Sequence, residues 1–142
     1  MSRASQVLAA AVAVAFSGLP SLAAAQNKLV APVHGEARIE ITKPASKPVG
    51  KDVVTTIVVK NVDKAPIAGF VAEEYWYDRA GNPLGGGTYR HPRPIQVGEV
   101  IVCTFKTPKS PKLDRNQIGF GHAYGPIKKT VVPKLVAPKP TT

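Results

Sequence analysis

Short β-branched runs, separated by turn residues at nearly regular spacing, constrain the fold of this chain more than any other feature of its sequence. The clearest run is Asp52–Asn61, DVVTTIVVKN, which is apolar on both faces and is therefore typical of a central strand. After residue 25 no window places apolar residues at helical spacing. The pattern excludes an α/β fold, in which helices separate the strands, and predicts an all-β domain.

Seven short strands are expected between residues 36 and 132. Their bounds are Glu36–Lys43, Asp52–Asn61, Ile67–Asp78, Leu84–His91, Val100–Lys106, Ile118–Tyr124 and Ile127–Val132. Two turn-rich loops, Lys43–Lys51 and the basic loop Thr107–Gln117, interrupt the series. Seven strands with turn signals at such intervals predict a single immunoglobulin-like β-sandwich of two sheets, with a small barrel as the alternative.

The first 25 residues have the order of features that defines a secretory signal peptide. Arg3 supplies positive charge, Val7–Phe16 is an apolar run too short to span a membrane, and Ala23–Ala25 offers an A-x-A cleavage site. An uncleaved amphipathic or membrane anchor is the alternative. We therefore expect residues 1–25 to be removed and the protein to be exported, to the periplasm or the extracellular space.

Two segments flank the expected sandwich. An extended lead-in covers residues 26–35, and a flexible, proline-rich basic tail covers residues 133–142. The sequence KLVAP occurs at 28–32 and again at 134–138. Two interpretations are open: coincidence in a chain rich in Ala, Val, Pro and Lys, or two flanks that run side by side at the edge of the sheet.

The mature chain is strongly basic, with a formal net charge of about +9 once Arg3 leaves with the signal peptide. Such a charge predicts association with polyanions, whether an anionic lipid surface, a cell-wall polymer or nucleic acid. The charge is spread along the chain without a dense run, so a basic solvated surface is an equal alternative. No specific nucleic-acid site is expected, and the oligomeric state stays open.

Cys103 is the only cysteine, so no intramolecular disulfide can form. It lies within Val100–Phe105, an apolar and β-rich run, and we therefore expect it to act as a small buried hydrophobic residue. An intermolecular disulfide or a reactive thiol is the alternative, because the expected compartment is oxidising.

Four short motifs lie between the second and fifth expected strands, at Val59-Lys60-Asn61, Ile67, Tyr77–Asn82 and Val97-Gly98-Glu99. In order and spacing they resemble the FxLYD family of bacterial exported domains and related immunoglobulin-like modules, over roughly half of the mature chain. Glu74 and Trp76 depart from that family, since they stand where its name motif has phenylalanine and leucine. The resemblance implies a β-sandwich that accompanies an envelope or secreted function, and it brings no catalytic residues.

The stretch EEYWYDRAGNPLGGGTYRHP is expected to form a β-hairpin. Asp78 and Gly81 form its turn, Asp78 by accepting backbone N–H groups and Gly81 by adopting positive φ. Alternation along the strand places Trp76 in the core with Glu74 beside it. Because a lone buried carboxylate is costly, we expect Glu74 to pair with Arg90 on the returning strand, with a functional carboxylate as the alternative.

The opposite face of this hairpin is the best candidate for a binding surface. Its aromatic and basic side chains are expected to form one patch that stacks on sugar rings, peptide or bases, with the basic loop 107–117 in support. The members are Tyr75, Tyr77, Tyr89, Arg90, His91 and Arg93. Cross-strand aromatic pairing without any ligand is the alternative.

Motifs for catalysis, nucleotides and metals are not recognisable. Gly85–Gly87 lack the pattern of a phosphate loop and instead predict a bulge or bend in the returning strand. The three histidines, at positions 34, 91 and 122, show no ligand spacing, and Ser46 and Ser110 have no nucleophile elbow around them. We therefore expect no enzyme, no cofactor and no metal site.

The function expected from these residues is a non-enzymatic exported module that binds a partner protein or an envelope component. The alternative is a soluble periplasmic carrier of a small ligand, or of a metal ion held by the histidines. An enzyme that uses Glu73 and Glu74 is the weakest interpretation, because no partner acid, nucleophile or oxyanion device accompanies them.

Overall fold

The computed structural model describes residues 29–138, so the expected signal peptide and both extreme ends of the chain lie outside it. The described residues form eight β-strands and no helix. The strands are β1 (Ala37–Ile41), β2 (Ala45–Val49), β3 (Asp52–Asn61), β4 (Val71–Tyr77), β5 (Pro83–Arg90), β6 (Val100–Pro108), β7 (Arg115–His122) and β8 (Gly125–Val131). Between residues 29 and 138 there is no helix of the length and hydrophobicity needed to cross a membrane.

The strands form one curled, mixed sheet. Its order is β2-β3-β1-β8-β7-β4-β5, with β6 on the other edge of β3. Every pair is antiparallel except β1 with β8, which is parallel. Along one edge of β3 runs β6, while β2 and then β1 share the other. The edge strands β5 and β6 lie beside each other without pairing, so the curled sheet approaches closure on itself.

The core is formed by the inward side chains of alternating strand positions. Its buried members are Val33, Ala37, Ile39, Ile41, Ile57, Val59, Ile67, Phe70, Ala72, Ile95, Ile101, Cys103, Phe105 and Ile118. Cys103 is fully buried among them, and this burial raises the pKa of its thiol to about 12. A thiol with that pKa stays protonated at neutral pH and is a poor nucleophile, so Cys103 acts as a small hydrophobic residue.

The segment Lys43–Lys51 is not the loop that its two prolines predict. Residues 45–49 form β2, which pairs with the first half of β3 around a tight turn that contains Gly50. All residues of β2 are exposed, and it is an edge strand. Proline is tolerated at an edge because its missing N–H faces solvent instead of a neighbouring strand, which explains why Pro48 does not prevent pairing.

Two other boundaries differ from expectation because of specific backbone features. The third expected strand begins at Val71 instead of Ile67, since Gly69 adopts positive φ and Ile67 makes only an isolated bridge to Ile95. The basic loop shortens to residues 109–114, since 115–117 pair with the end of β4.

The two KLVAP segments lie at opposite ends of the parallel β1–β8 pair. The lead-in meets the start of β8, where the Gly35 N–H donates to the carbonyl of Tyr124 at 2.9 Å. The tail leaves beside the end of β1, where the Val132 N–H donates to the carbonyl of Ile41 at 2.8 Å. Parallel pairing therefore separates the described parts of the two flanks, and the structure contradicts the alternative interpretation in which they run side by side.

The close approach of β5 to β4 gives a test of this packing. A Cβ at Gly86 would overlap the carbonyl oxygen of Glu74, whereas a Cβ at Gly119 on the other neighbour of β4 would meet nothing within 4 Å. We predict that Gly86→Ala lowers the free energy of unfolding by about 1–3 kcal/mol through overpacking. The matched change Gly119→Ala should be neutral or stabilising by up to about 1 kcal/mol. Urea unfolding of both variants checks this, and equal effects would contradict the β4–β5 register.

Candidate functional site

The hairpin turn is closed by Asp78. Its carboxylate accepts the backbone N–H of Asn82 at 2.8 Å, and its carbonyl accepts the N–H of Gly81 at 3.0 Å. The hydrogen bonds from Asn82 hold the pKa of the Asp78 carboxyl below its usual value. Gly81 has φ of 86°, the left-handed conformation that such a turn requires. Both residues therefore have a structural environment that accounts for them.

A one-residue bulge in this hairpin decides which side chains share a face. Trp76 lies opposite Gly85 but Tyr77 lies opposite Pro83, so Leu84 is an extra residue in β5. A shift of one residue sends every later side chain of β5 to the other face of the sheet. Tyr89 consequently lies opposite the buried Ala72 on the inner face.

The expected Glu74–Arg90 pair is wrong for the same reason. Beyond the bulge Arg90 lies opposite Val71, on the outer face, whereas Glu74 points inward and is only 1% exposed. Without the extra residue Arg90 would lie opposite Phe70 and share the inner face with Glu74.

The six residues expected to form one binding patch therefore divide into three groups. The first group, on the outer face, is Tyr75, Tyr77 and Arg90. The Tyr75 hydroxyl donates to the carboxylate of Glu73 at 2.6 Å, and this hydrogen bond raises the pKa of Tyr75. The second group is Tyr89 with His91, and the third is Arg93, which is paired with Glu99. The outer face retains an aromatic and basic character, but the expected continuous patch does not form.

Burial governs the titration of the second group. The Tyr89 hydroxyl lies 2.9 Å from Nδ1 of His91. Burial raises the pKa of Tyr89, and burial together with the charge of Arg93 lowers the pKa of His91. This pair is therefore neutral around pH 7, and its contact stabilises the end of β5 instead of presenting charge.

The three histidines lie in separate environments. His34 stacks on Tyr124 with ring centroids 4.2 Å apart, and Nε2 of His122 donates to the carbonyl of Gly35 at 2.8 Å. Across residues 29–138 no group of three or more His, Cys, Asp or Glu side chains is arranged to hold a metal ion. The carrier alternative therefore gains no support from a histidine cluster.

Glu74 is the centre of a polar network at one end of the sheet, which is buried at Glu74 and becomes exposed toward Ser46. Its carboxylate accepts the hydroxyl of Thr107 at 3.3 Å and the side-chain amide of Asn116 at 2.9 Å. The Asn116 amide also lies 3.3 Å from the Ser46 hydroxyl, which shares a hydrogen bond of 2.7 Å with Thr55. The network joins β4, β6 and β7 to β2 and β3, and it satisfies the carboxylate without a cation.

Three connections meet above this network. They are the β2–β3 turn at 50–51, the β4–β5 turn at 78–82 and the β6–β7 loop at 109–114, and we call this the hairpin end. The Lys109 N–H donates to the carbonyl of Lys51, and the Asp114 N–H donates to that of Tyr77, each at 2.9 Å. These bonds fix the 109–114 loop between the other two turns.

A groove of about 550 Å³ opens at the hairpin end between β2 and the 109–114 loop. Its lining residues are Ser46, Lys47, Pro48, Val53, Trp76, Lys109, Ser110, Pro111, Leu113 and Asp114. The lining is mainly apolar, with two lysines and one carboxylate at its margin. A concave, mostly apolar site with a few polar groups is the usual form of a small-molecule or peptide site.

Trp76 contributes an unusual feature to this groove. The residue is 7% exposed, and its Nε1–H is buried without a hydrogen-bond partner among the described residues. Buried tryptophan N–H groups usually have a partner, because leaving one unpaired costs about 1–3 kcal/mol. The unsatisfied donor therefore marks the groove as a place where an acceptor would be stabilising.

The sequence shows only part of this site. The sequence predicts that the basic loop 107–117 supports binding and that Trp76 lies in the core, but it does not predict the groove between them. The walls of the groove come from residues far apart in sequence, such as Ser46 and Leu113, and the sequence predicts a loop where β2 forms. One signal in the sequence points to the groove. The segments 43–51 and 107–117 are both rich in lysine and proline, and both contribute residues to the lining beside Trp76.

The Glu74 network predicts a specific loss of stability. Glu74→Ala removes the acceptor for the buried Thr107 hydroxyl and the partly buried Asn116 amide, so the free energy of unfolding should fall by about 1–3 kcal/mol. The control is Glu73→Ala on the preceding residue, which should leave the thermal midpoint near that of the parent because only the exposed Tyr75 contact is lost. Thermal and urea unfolding measure both, and a near-parent Glu74→Ala variant would show that the network is not stabilising.

The Arg93–Glu99 pair predicts a pH dependence. Two hydrogen bonds of 2.7 Å from Arg93 hold the pKa of Glu99 below its usual value. The stabilisation is therefore complete above the unfolded pKa of glutamate, about 4.3, and is lost as pH falls through the lower folded pKa. Arg93→Ala should have a lower thermal midpoint than the parent at pH 7, and the two should converge as the solution is acidified. A difference that stays constant from neutral to acid pH would contradict this assignment.

A comparison of the chain with protein-family models, with curated proteins and with solved structures finds no match. The function of the groove is consequently argued from its own residues. Its size, its mainly apolar lining and its unpaired indole donor identify the hairpin end as the candidate functional site of this all-β protein.

Proposed function

We propose that this chain is an exported, non-enzymatic binding module of FxLYD-like, immunoglobulin-like type, and that its binding site is the hairpin-end groove. The observation that carries the proposal is the groove itself, about 550 Å³ in volume and lined by Trp76.

Rigid support favours the hairpin end over the outer face of β4 as the site of recognition. The groove lies between segments fixed by backbone hydrogen bonds and by the buried Glu74 network. Binding sites commonly occur on turns that a rigid β-scaffold holds in place. On the outer face, by contrast, the Tyr75 hydroxyl is already bonded to Glu73 and Tyr77 packs under Arg115.

The partner proposed for this module is a protein or another component of the cell envelope. The signal peptide expected over residues 1–25 would bring the mature chain into that compartment. Its positive charge favours anionic partners, and Lys47 and Lys109 bring some of that charge to the margin of the groove.

A soluble carrier of a small ligand is the second candidate, and the mostly apolar lining of the groove favours it. The two functions differ in what stays bound. A carrier retains a small molecule through purification of the exported protein, which native mass spectrometry detects, whereas a docking module is purified empty and captures its partner from the envelope.

The proposal predicts which substitutions abolish capture of a partner. Mature protein, residues 26–142, is immobilised and exposed to a solubilised envelope fraction from the source cells. Lys47→Glu combined with Lys109→Glu should reduce capture by roughly tenfold or more, since both charges at the groove are reversed. Tyr75→Ser combined with Tyr77→Ser, on the outer face, should leave capture unchanged. The opposite outcome would move the binding site to the outer face of β4.

A further inference from the structure

The chemistry of the groove specifies its ligand more narrowly than the function above requires. The inference rests on the proposed function, because it assigns a ligand class to the same site. Three features of the described residues carry it: the ring surfaces of the lining, the unpaired indole N–H and the balance of charge at the margin.

Flat surfaces dominate the apolar part of the groove. Trp76 presents an indole, and Pro48 and Pro111 present pyrrolidine rings from β2 and from the 109–114 loop. Val53 and Leu113 complete the apolar lining. Such surfaces favour a planar aromatic body, because face and edge contacts with an indole stabilise beyond the area that they bury.

Charge at the margin favours an anion. Lys47 and Lys109 line the groove, and neither makes an ion pair with another side chain of residues 29–138. The carboxylate of Asp114 also lines it but lies 3.8 Å from Arg79 and 3.8 Å from Arg115. Because the negative charge of Asp114 is already balanced by Arg79 and Arg115, the positive charges of Lys47 and Lys109 are available to an anionic ligand.

The indole donor complements this charge. Nε1 of Trp76 exposes less than 1 Å² and has no hydrogen-bond partner among residues 29–138, and the indole ring that carries it lines the groove. An acceptor on the ligand would then remove the cost of an unsatisfied buried donor.

We propose that the hairpin-end groove binds a planar aromatic small molecule that carries an anionic group, with Lys47 and Lys109 on the anion and the Trp76 N–H on a ligand acceptor.

Two fluorescent probes with the same aromatic skeleton test this proposal. Anilinonaphthalene sulfonate carries an anionic group, and N-phenyl-1-naphthylamine does not. Trp76 is the only tryptophan of the chain, so energy transfer from tryptophan to a bound probe reports binding to the protein, and the substitutions below locate the bound probe. We expect sensitised emission from the anionic probe at a concentration about three- to tenfold lower than from the neutral probe, the range that two exposed lysines supply.

Matched substitutions distinguish recognition of the anionic group from nonspecific hydrophobic binding of the probe. Lys47→Gln with Lys109→Gln should weaken binding of the anionic probe to the level of the neutral one. Lys60→Gln with Lys128→Gln makes the same change of charge on β3 and β8, outside the groove lining, and should leave both probes unaffected. Trp76→Phe, monitored by direct excitation of the probe, should weaken binding of the anionic probe further because the N–H is lost.

The proposal is overturned if the neutral probe binds as tightly as the anionic one, if the two lysine pairs have equal effects, or if emission is not sensitised by Trp76. Failure here is distinguishable from failure of the proposed function. If the probes bind without selectivity while capture of an envelope partner still depends on the groove, the ligand class is rejected and the proposed binding function is retained.

Discussion

The hairpin end of this protein depends on the burial of one carboxylate. Glu74 is 1% exposed, and a carboxylate in that position is tolerated only when it is fully hydrogen-bonded. Its donors come from Thr107 on β6 and Asn116 on β7, and Asn116 continues the network to Ser46 on β2. The strands that carry the three turns of the hairpin end are therefore tied together directly beneath the groove. In this account the buried polar network positions the site, while the apolar core stabilises the rest of the sheet.

A single extra residue determines which surfaces the hairpin presents. Leu84 shifts the register of β5 against β4, so Arg90 faces outward and Tyr89 faces inward. Period-two alternation read from the sequence gives the opposite assignment, because it does not count a bulge. The expected Glu74–Arg90 pair is wrong for this reason, and the same shift separates Tyr89 from Tyr75 and Tyr77, while Arg93 is separated by its pair with Glu99. The glycines at 85–87 predict that a bulge or bend is present. Its position depends on how β5 pairs with β4, and that position decides which face of the sheet each later side chain of β5 occupies.

Local sequence was sufficient for the all-β class and for the strands with the strongest pattern. Asp52–Asn61 forms β3 with the expected bounds, because its β-branched residues suit a strand that is paired on both edges. Local sequence was not sufficient for β2, whose proline is acceptable only at an edge that the sequence cannot identify. The groove could not be predicted either, since Ser46 and Asn116 lie 70 residues apart and meet only in the folded chain.

The central claim is that recognition takes place at the groove beside Trp76. The most direct measurement is a titration of the isotopically labelled mature protein with anilinonaphthalene sulfonate, followed by ¹H–¹⁵N correlation spectra. The chain has one tryptophan, so its indole N–H gives one side-chain signal of that kind. The account predicts the largest shifts at that indole signal and at the backbone amides of the 109–114 loop. Shifts concentrated on Tyr75, Tyr77 and Arg90, with the indole signal unmoved, would contradict it and place recognition on the outer face of β4.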